Sequence, residues 1–176
     1  MPNAILDPTG GTRGGTPSPR RVPRGGGLRG AAVGLLINTK QNARPFLDEV
    51  GRLLVERHGV ASVRPVTKAN FAQPEPEQKV KELADECDVV ITGIGDCGSC
   101  SASAIADGIA FEAAGLPAAV ICSDAFRATA DAVAELRGAP GYRYATTPHP
   151  VAVLTQDQVK ERAALVLGDV VALLTS

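Results

Sequence analysis

The chain has 176 residues, 44% hydrophobic and 21% charged, which suits one domain of ordinary size with a sizeable core. Aromatic residues make up only 3% and tryptophan is absent, so the core must be Val, Leu, Ile and Ala, and base-stacking platforms for single-stranded nucleic acid are excluded. The formal net charge is −1, and no apolar run approaches the roughly 18 residues that a membrane span requires.

Residues 1–30 stand apart. They hold eight glycines, five prolines and five arginines, with Asp7 the sole acid. Such a stretch cannot bury enough apolar surface to offset the entropy of ordering, so it is expected to be a largely disordered arm. Its Gly and Pro content also forbids the amphipathic helix of a transit peptide. The segment Ile5-Leu6-Asp7-Pro8-Thr9-Gly10 is the exception, with two apolar residues and a turn signal. Without the arm's five arginines and one acid, the body at 31–176 carries a charge near −5. An acidic body without aromatic surface is a poor nucleic-acid binder.

From residue 31 the pattern alternates strand and helix. Residues 31–37 form an apolar strand. Residues 43–58 have helical spacing, with Phe46, Val50, Leu53 and Leu54 on one side, and Gly59 ends them. A strand is expected at 60–66, a short helix at 77–86 and a strand at 88–92. A helix at 101–114 stops at Gly115, a strand follows at 118–122 and a helix at 126–136. A short fifth strand lies at 142–146, and Thr155 caps a last helix that runs to residue 174. Continuous apolar strands alternating with helices predict a three-layer α/β/α sandwich on a mainly parallel sheet of four to five strands. Ligands of such folds sit beyond the carboxyl ends of the strands, where strand order reverses. Those ends collect Asn38-Thr39-Lys40, the loop 93–100, Ser123-Asp124 and the loop 146–150.

The loop 93–100 carries the chemistry. It reads Gly93-Ile94-Gly95-Asp96-Cys97-Gly98-Ser99-Cys100, between an apolar strand and an alanine-rich helix. A helix start leaves backbone N–H groups unpaired and carries about half a positive charge. A thiolate there is stabilised, and its pKa falls from about 8.5, often towards 7 or lower. Cys97 is expected to be the exposed attacking sulfur, with Cys100 in the first helical turn, able to close a disulfide onto it. Ser99 and Ser101 are candidate caps of the helix, and Gly98 lets the chain turn between the sulfurs. Asp96 either raises the thiol pKa by repulsion or moves its proton. His149, held between Pro148 and Pro150, is a candidate general acid or a partner of the Cys97 thiolate. Asn38, Thr39, Lys40, Gly95, Gly98, Ser99, Ser101 and Asp124 are the candidate substrate-binding residues.

The same loop fits other readings. Gly93, Gly95 and Gly98 match G-x-G-x-x-G, and Asp124 ends the next strand as a ribose-binding acid would. Yet the motif sits on the third strand, and too little chain follows for the second half of a dinucleotide fold. A zinc site would need Cys122 and His149 to join Cys97 and Cys100 in space. Buried, inert cysteines are a third option, and Cys87 reads as core. No signal peptide is evident, so the thiols are expected in a reducing, cytoplasmic compartment.

The stretch ITGIGDCGSCSASAIADGIAFEAAGLPAAVICSDAF, with INTKQNARPFLDEVGRLL, TTPHPV and ILDPTG, resembles the UGSC family. That family is named for a Sec-Gly-Ser-Cys signature in which many members have cysteine for selenocysteine. It is related to the selenoprotein subunit of glycine, sarcosine and betaine reductase component B. The resemblance places Cys97 at the selenocysteine position and Cys100 at the second thiol. In the reductases a selenol displaces an amine from carbon and passes a carboxymethyl group onward. Sulfur is a weaker nucleophile than selenium, which sets this chain apart.

Sequence and resemblance together predict a thiol-dependent enzyme acting on a small polar, carboxylate-bearing substrate, with reductive chemistry. Cys97 attacks, Cys100 resolves, and His149 or Asp96 moves the proton. An external thiol reductant is expected and no bound flavin or metal. The alternatives are a non-redox addition or elimination at Cys97, and a non-catalytic subunit or metal-binding module. A homo-oligomer or a partner subunit fits any of these.

Overall fold

A computed structural model describes residues 27–176, so the glycine-rich arm up to residue 26 and the Ile5–Gly10 segment lie outside the described residues. The elements in chain order are β1 (Ala32–Ile37), α1 (Ala43–His58), β2 (Ser62–Thr67), α2 (Glu77–Glu86), β3 (Val89–Gly95), α3 (Gly98–Ala113), β4 (Ala118–Ser123), α4 (Arg127–Leu136), β5 (Ala145–Thr147) and α5 (Gln156–Thr175), with a 3₁₀ turn at Asp124–Phe126 before α4. The five strands form one sheet in the order β2-β1-β3-β4-β5, every pair parallel. The protein is therefore an α/β sandwich, as the alternating pattern predicts.

Strand parity sorts the core. Val33, Leu35, Ile37, Val89, Ile91, Ala119 and Ile121 point to one face and pack on α1 and α5. Leu36, Val90 and Ala118 point to the other, under α2 and the end of α3. Val120 and Cys122 meet α3 and α4. The central strands are buried on both sides, which is why they read as unbroken apolar runs. Leu28 belongs to the core, and the Gly30 N–H donates to the Gly59 carbonyl at 2.8 Å. Leu28 and Gly30 thus pack with the body that follows them.

Chain order reverses between β1 and β3, because β2 lies outside β1 and β3 returns to its inner side. The loops after β1 and β3 flank that crevice and are tied together. The Asn38 N–H donates to the Gly93 carbonyl at 3.1 Å, and its side-chain amide donates to the Ile94 carbonyl at 2.6 Å. Strand β3 is longer than the expected 88–92: it runs to Gly95, with an irregularity in its register against β4 between Gly93 and Gly95.

Candidate functional site at the β3–α3 junction

Helix α3 starts at Gly98, three residues before the expected start, and its N-cap is Cys97 itself. The Cys100 N–H donates to Cys97 Sγ at 3.2 Å, so the sulfur takes the role that a serine or aspartate oxygen usually fills. Ser99 stands beside it, its Oγ 3.5 Å from Cys97 Sγ. Cys97 and Cys100 are disulfide-bonded, with Cα atoms 5.2 Å apart. Cys97 is half-buried and Cys100 is buried. Ser101 does not cap the helix. It is fully buried, its hydroxyl against the Cys122 thiol, and so lies behind the cysteines.

The glycines before the cysteines have packing reasons. A Cβ on Gly93 would sit 2.9 Å from the Ile121 carbonyl oxygen. One on Gly95 would sit 2.7 Å from Cys122 Sγ and 2.8 Å from Ser101 Oγ. Both glycines let β3 and α3 approach β4 closely. Of the three glycines in this loop, Gly98 alone has nothing within 4 Å of its would-be Cβ and opens onto free space.

Asp96 and His149 meet. The side chain of Asp96 is 7% exposed, and one carboxylate oxygen is 2.9 Å from His149 Nδ1. The other accepts the Val151 and Ala152 N–H groups, each at 2.9 Å. A carboxylate can only accept, so Nδ1 carries the hydrogen and Nε2 is left as the basic nitrogen. Ser123 Oγ lies 3.3 Å from the same Nδ1 and donates to the Gly95 carbonyl at 3.1 Å. The Asp124 carboxylate accepts the His149 N–H at 3.0 Å, and the Phe126 ring meets the imidazole edge-on with centroids 5.4 Å apart. The ends of β3, β4 and β5 therefore converge on one imidazole.

The loop that carries His149 is gripped from the other side by Asn42. Its amide donates to the carbonyls of Val151, Ala152 and Leu154 at 3.0, 3.2 and 2.9 Å. Asn42 also adopts the left-handed conformation at the N-cap of α1, a place its short polar side chain suits. Neither role was legible from sequence. Among the predicted binding residues, Asn38 is buried and its polar atoms are used in holding the β1 and β3 loops, its Oδ1 also accepting the Lys40 N–H at 3.1 Å. Thr39 is exposed, and the Lys40 ammonium rests 4.2 Å above the Phe71 ring.

Cys87 is buried in the core, as its place before β3 predicts. Cys122 is sealed at the end of β4, and burial pushes its thiol up to about 12. Among the described residues no three His, Cys, Asp or Glu side chains are grouped to hold a metal ion, so the set of Cys97, Cys100, Cys122 and His149 does not assemble. Among the same residues, no helix is long and apolar enough to cross a membrane. A polar cavity of about 450 Å³ lies elsewhere, at the β5 edge between α4 and α5, lined by Arg127, Asp131, Tyr142, Tyr144 and Asp169 among others.

Fold and site define an α/β protein with a C-x-x-C pair capping the helix at its topological switch point. The model of the UGSC family matches residues 4–176, and the chain belongs to that family. No curated protein matches it. Among solved structures, RecJ in complex with Mn²⁺ from Thermus thermophilus is 17% identical with a TM-score of 0.37, over 54% of this chain and 12% of that one. An ABC transporter permease from the Pseudomonas fluorescens group is also 17% identical, with a TM-score of 0.38 over 76% of this chain and 31% of that one. The chain thus spans less than a third of either protein, and likenesses this distant bear on neither fold nor function.

Proposed function

We propose that the protein is a cytoplasmic thiol-dependent enzyme that reduces a small polar, carboxylate-bearing substrate at Cys97. The observation that carries this reading is the capping of α3 by Cys97, with Cys100 close enough to bond to it. The Cys97 thiolate, stabilised by the helix start, attacks a substrate carbon and displaces its leaving group. The Cys100 thiolate then attacks Cys97 Sγ. The S–C bond breaks, the S–S bond forms, and the carbon leaves with the electron pair and takes the proton that His149 Nε2 received from the Cys97 thiol. The net change is replacement of the leaving group by hydrogen, with two electrons drawn from the dithiol. An external dithiol restores the pair. The positive end of α3, beside the open space at Gly98, suits a carboxylate.

The pairing of Asp96 with His149 supports a second reading. An imidazole oriented by a carboxylate is the usual activator of a lone nucleophile. Cys97 would then add to or eliminate from an activated substrate without redox change. Substituting Cys100 by Ser separates the two: the reductive cycle stops at the Cys97–substrate adduct, with one leaving group released and no reduced product, whereas a lyase or hydratase keeps most of its rate. Both readings require preferential alkylation of Cys97 in reduced protein under limiting iodoacetamide. Equal or lower labelling than at Cys87, read by peptide mass spectrometry, would overturn both.

A further inference from the structure

The N-cap residue of α1 spends its side chain away from its own helix. Asn42 makes no side-chain bond to the start of α1, although asparagine is among the residues best suited to that task. The helix begins on the Asn42 carbonyl, which accepts the Phe46 N–H at 3.1 Å. The two N–H bonds of the Asn42 amide serve three carbonyls of the β5–α5 loop, those of Val151, Ala152 and Leu154. The amide thus holds one loop to another, and α1 does not depend on it for a cap.

The same stretch of loop is bound to Asp96. The Val151 and Ala152 N–H groups donate to Asp96 Oδ2, each at 2.9 Å. The Val151 carbonyl and the Ala152 N–H belong to one peptide group. Asn42 donates to its oxygen at 3.0 Å, and Asp96 accepts from its nitrogen at 2.9 Å. Hydrogen bonds in series polarise one another, so the amide strengthens the N–H that the carboxylate accepts. The other carboxylate oxygen holds His149 Nδ1 at 2.9 Å. A line of bonds therefore runs from Asn42, after β1, through the β5–α5 loop to Asp96, after β3, and on to the imidazole. The charged groups around His149 are Asp96, Asp124, which accepts its N–H, and Arg162, which donates to the Pro148 carbonyl at 3.2 Å.

We propose that Asn42 is a positioning residue for His149, fixing the imidazole through the Asp96 carboxylate. The inference rests on the reading of His149 as the proton acceptor of Cys97. The Asn42 amide bonds to neither the sulfur nor the ring. It sets the place of the loop on which His149 stands and the direction of the carboxylate that holds the Nδ1 hydrogen, and so leaves Nε2 basic. Without the amide, three carbonyls lose their donor, the loop settles away from β1, and the ring samples both tautomers. A misplacement on the order of 1 Å at a reacting group costs up to about 100-fold in rate.

Two variants remove the donor and keep the backbone. Asn42 has φ 66° and ψ −5°, which glycine adopts freely and aspartate tolerates. Aspartate is also a good N-cap, so Asn42→Asp carries the test if Asn42→Gly does not fold. Reduced full-length protein is labelled with limiting iodoacetamide from about pH 6 to 10, and Cys97 is followed by peptide mass spectrometry. Both variants are expected to slow labelling about threefold or more at pH 7 and to converge on the parent at the alkaline end, where the thiolate forms unaided. Added to His149→Gln, either substitution should cost nothing more. The ring is read directly by nitrogen NMR of labelled histidine at alkaline pH, where imidazoles are neutral. The parent should show the Nδ1–H tautomer alone at His149, and both variants a mixture. An unchanged tautomer, no loss where His149→Gln is slow, a loss of equal size at every pH, or a further loss on top of His149→Gln overturns the proposal. His149→Gln labelled as fast as the parent would sink the role of His149 toward Cys97 by a separate result, and the tautomer would still decide what Asn42 does.

Discussion

Each sulfur at this site has a different environment set by a few atoms. Cys97 caps a helix, Cys100 is buried one turn on, Cys122 is sealed behind them and Cys87 is in the core. Only the first combines access with a stabilising dipole, so reactivity should concentrate there. Asp96 and His149 act as a unit, because the carboxylate fixes the ring nitrogen that carries the hydrogen. Asp96→Asn and His149→Gln are each expected to slow alkylation of Cys97 at pH 7 several-fold. The double variant should be no slower than the slower single, since one broken unit cannot be broken twice. Iodoacetamide kinetics on the three variants check this, and additive losses would refute the unit. The cysteine pair was legible because two thiols between a strand and a helix have few other uses. Asn42 was not, since an asparagine ahead of a helix reads as its cap.

At the scale of elements, α3 is shaped by what lies beneath it. A Cβ on Gly108 would overlap Val120 Cγ2 and stand 2.5 Å from Tyr142 Oη. Replacing glycine by alanine inside a helix normally gains about 1 kcal/mol of propensity. Here the overlap should win, because forcing extra atoms into a packed interior costs about 1–3 kcal/mol. Gly108→Ala is therefore expected to lower stability by about 1–2 kcal/mol in urea unfolding, and an increase would contradict the packing seen here. Gly95→Ala should cost about as much or more, and should also change Cys97 labelling, since Ser101 and Cys122 would have to move. The element types were readable from the apolar periods. The boundary that matters most was misplaced by three residues, from 101 to 98, because serines are commoner caps than cysteine and drew the reading along the chain.

Across the whole molecule, burial on both faces of the sheet couples titration to folding. The Cys122 thiol moves from an ordinary 9.0 to about 12. A raised folded value means that the native state holds its proton where the unfolded chain releases it. The contribution is thus intact below pH 9 and is lost as pH rises towards 12. In that window this thiol alone should lower stability by about 1.4 kcal/mol per pH unit. Denaturant titrations at successive pH values should give a shallower alkaline slope for Cys122→Ala than for the parent, and an unchanged slope would refute the assignment. Tyr142, also pushed up by burial, adds to the same loss.

The alternation of apolar runs and helical periods determined by itself the α/β class, a parallel sheet of four to five strands and the position of the cysteines at a strand-to-helix turn. These depend on neighbours in the chain, which sequence displays. The strand order, the meeting of Asp96 with His149 across 53 positions, and the reach of Asn42 to Val151 across 109 were decided only by tertiary structure. Parallel strands pair through long crossovers, so which loops share the crevice follows from how the sheet closes its core, and no local pattern encodes it.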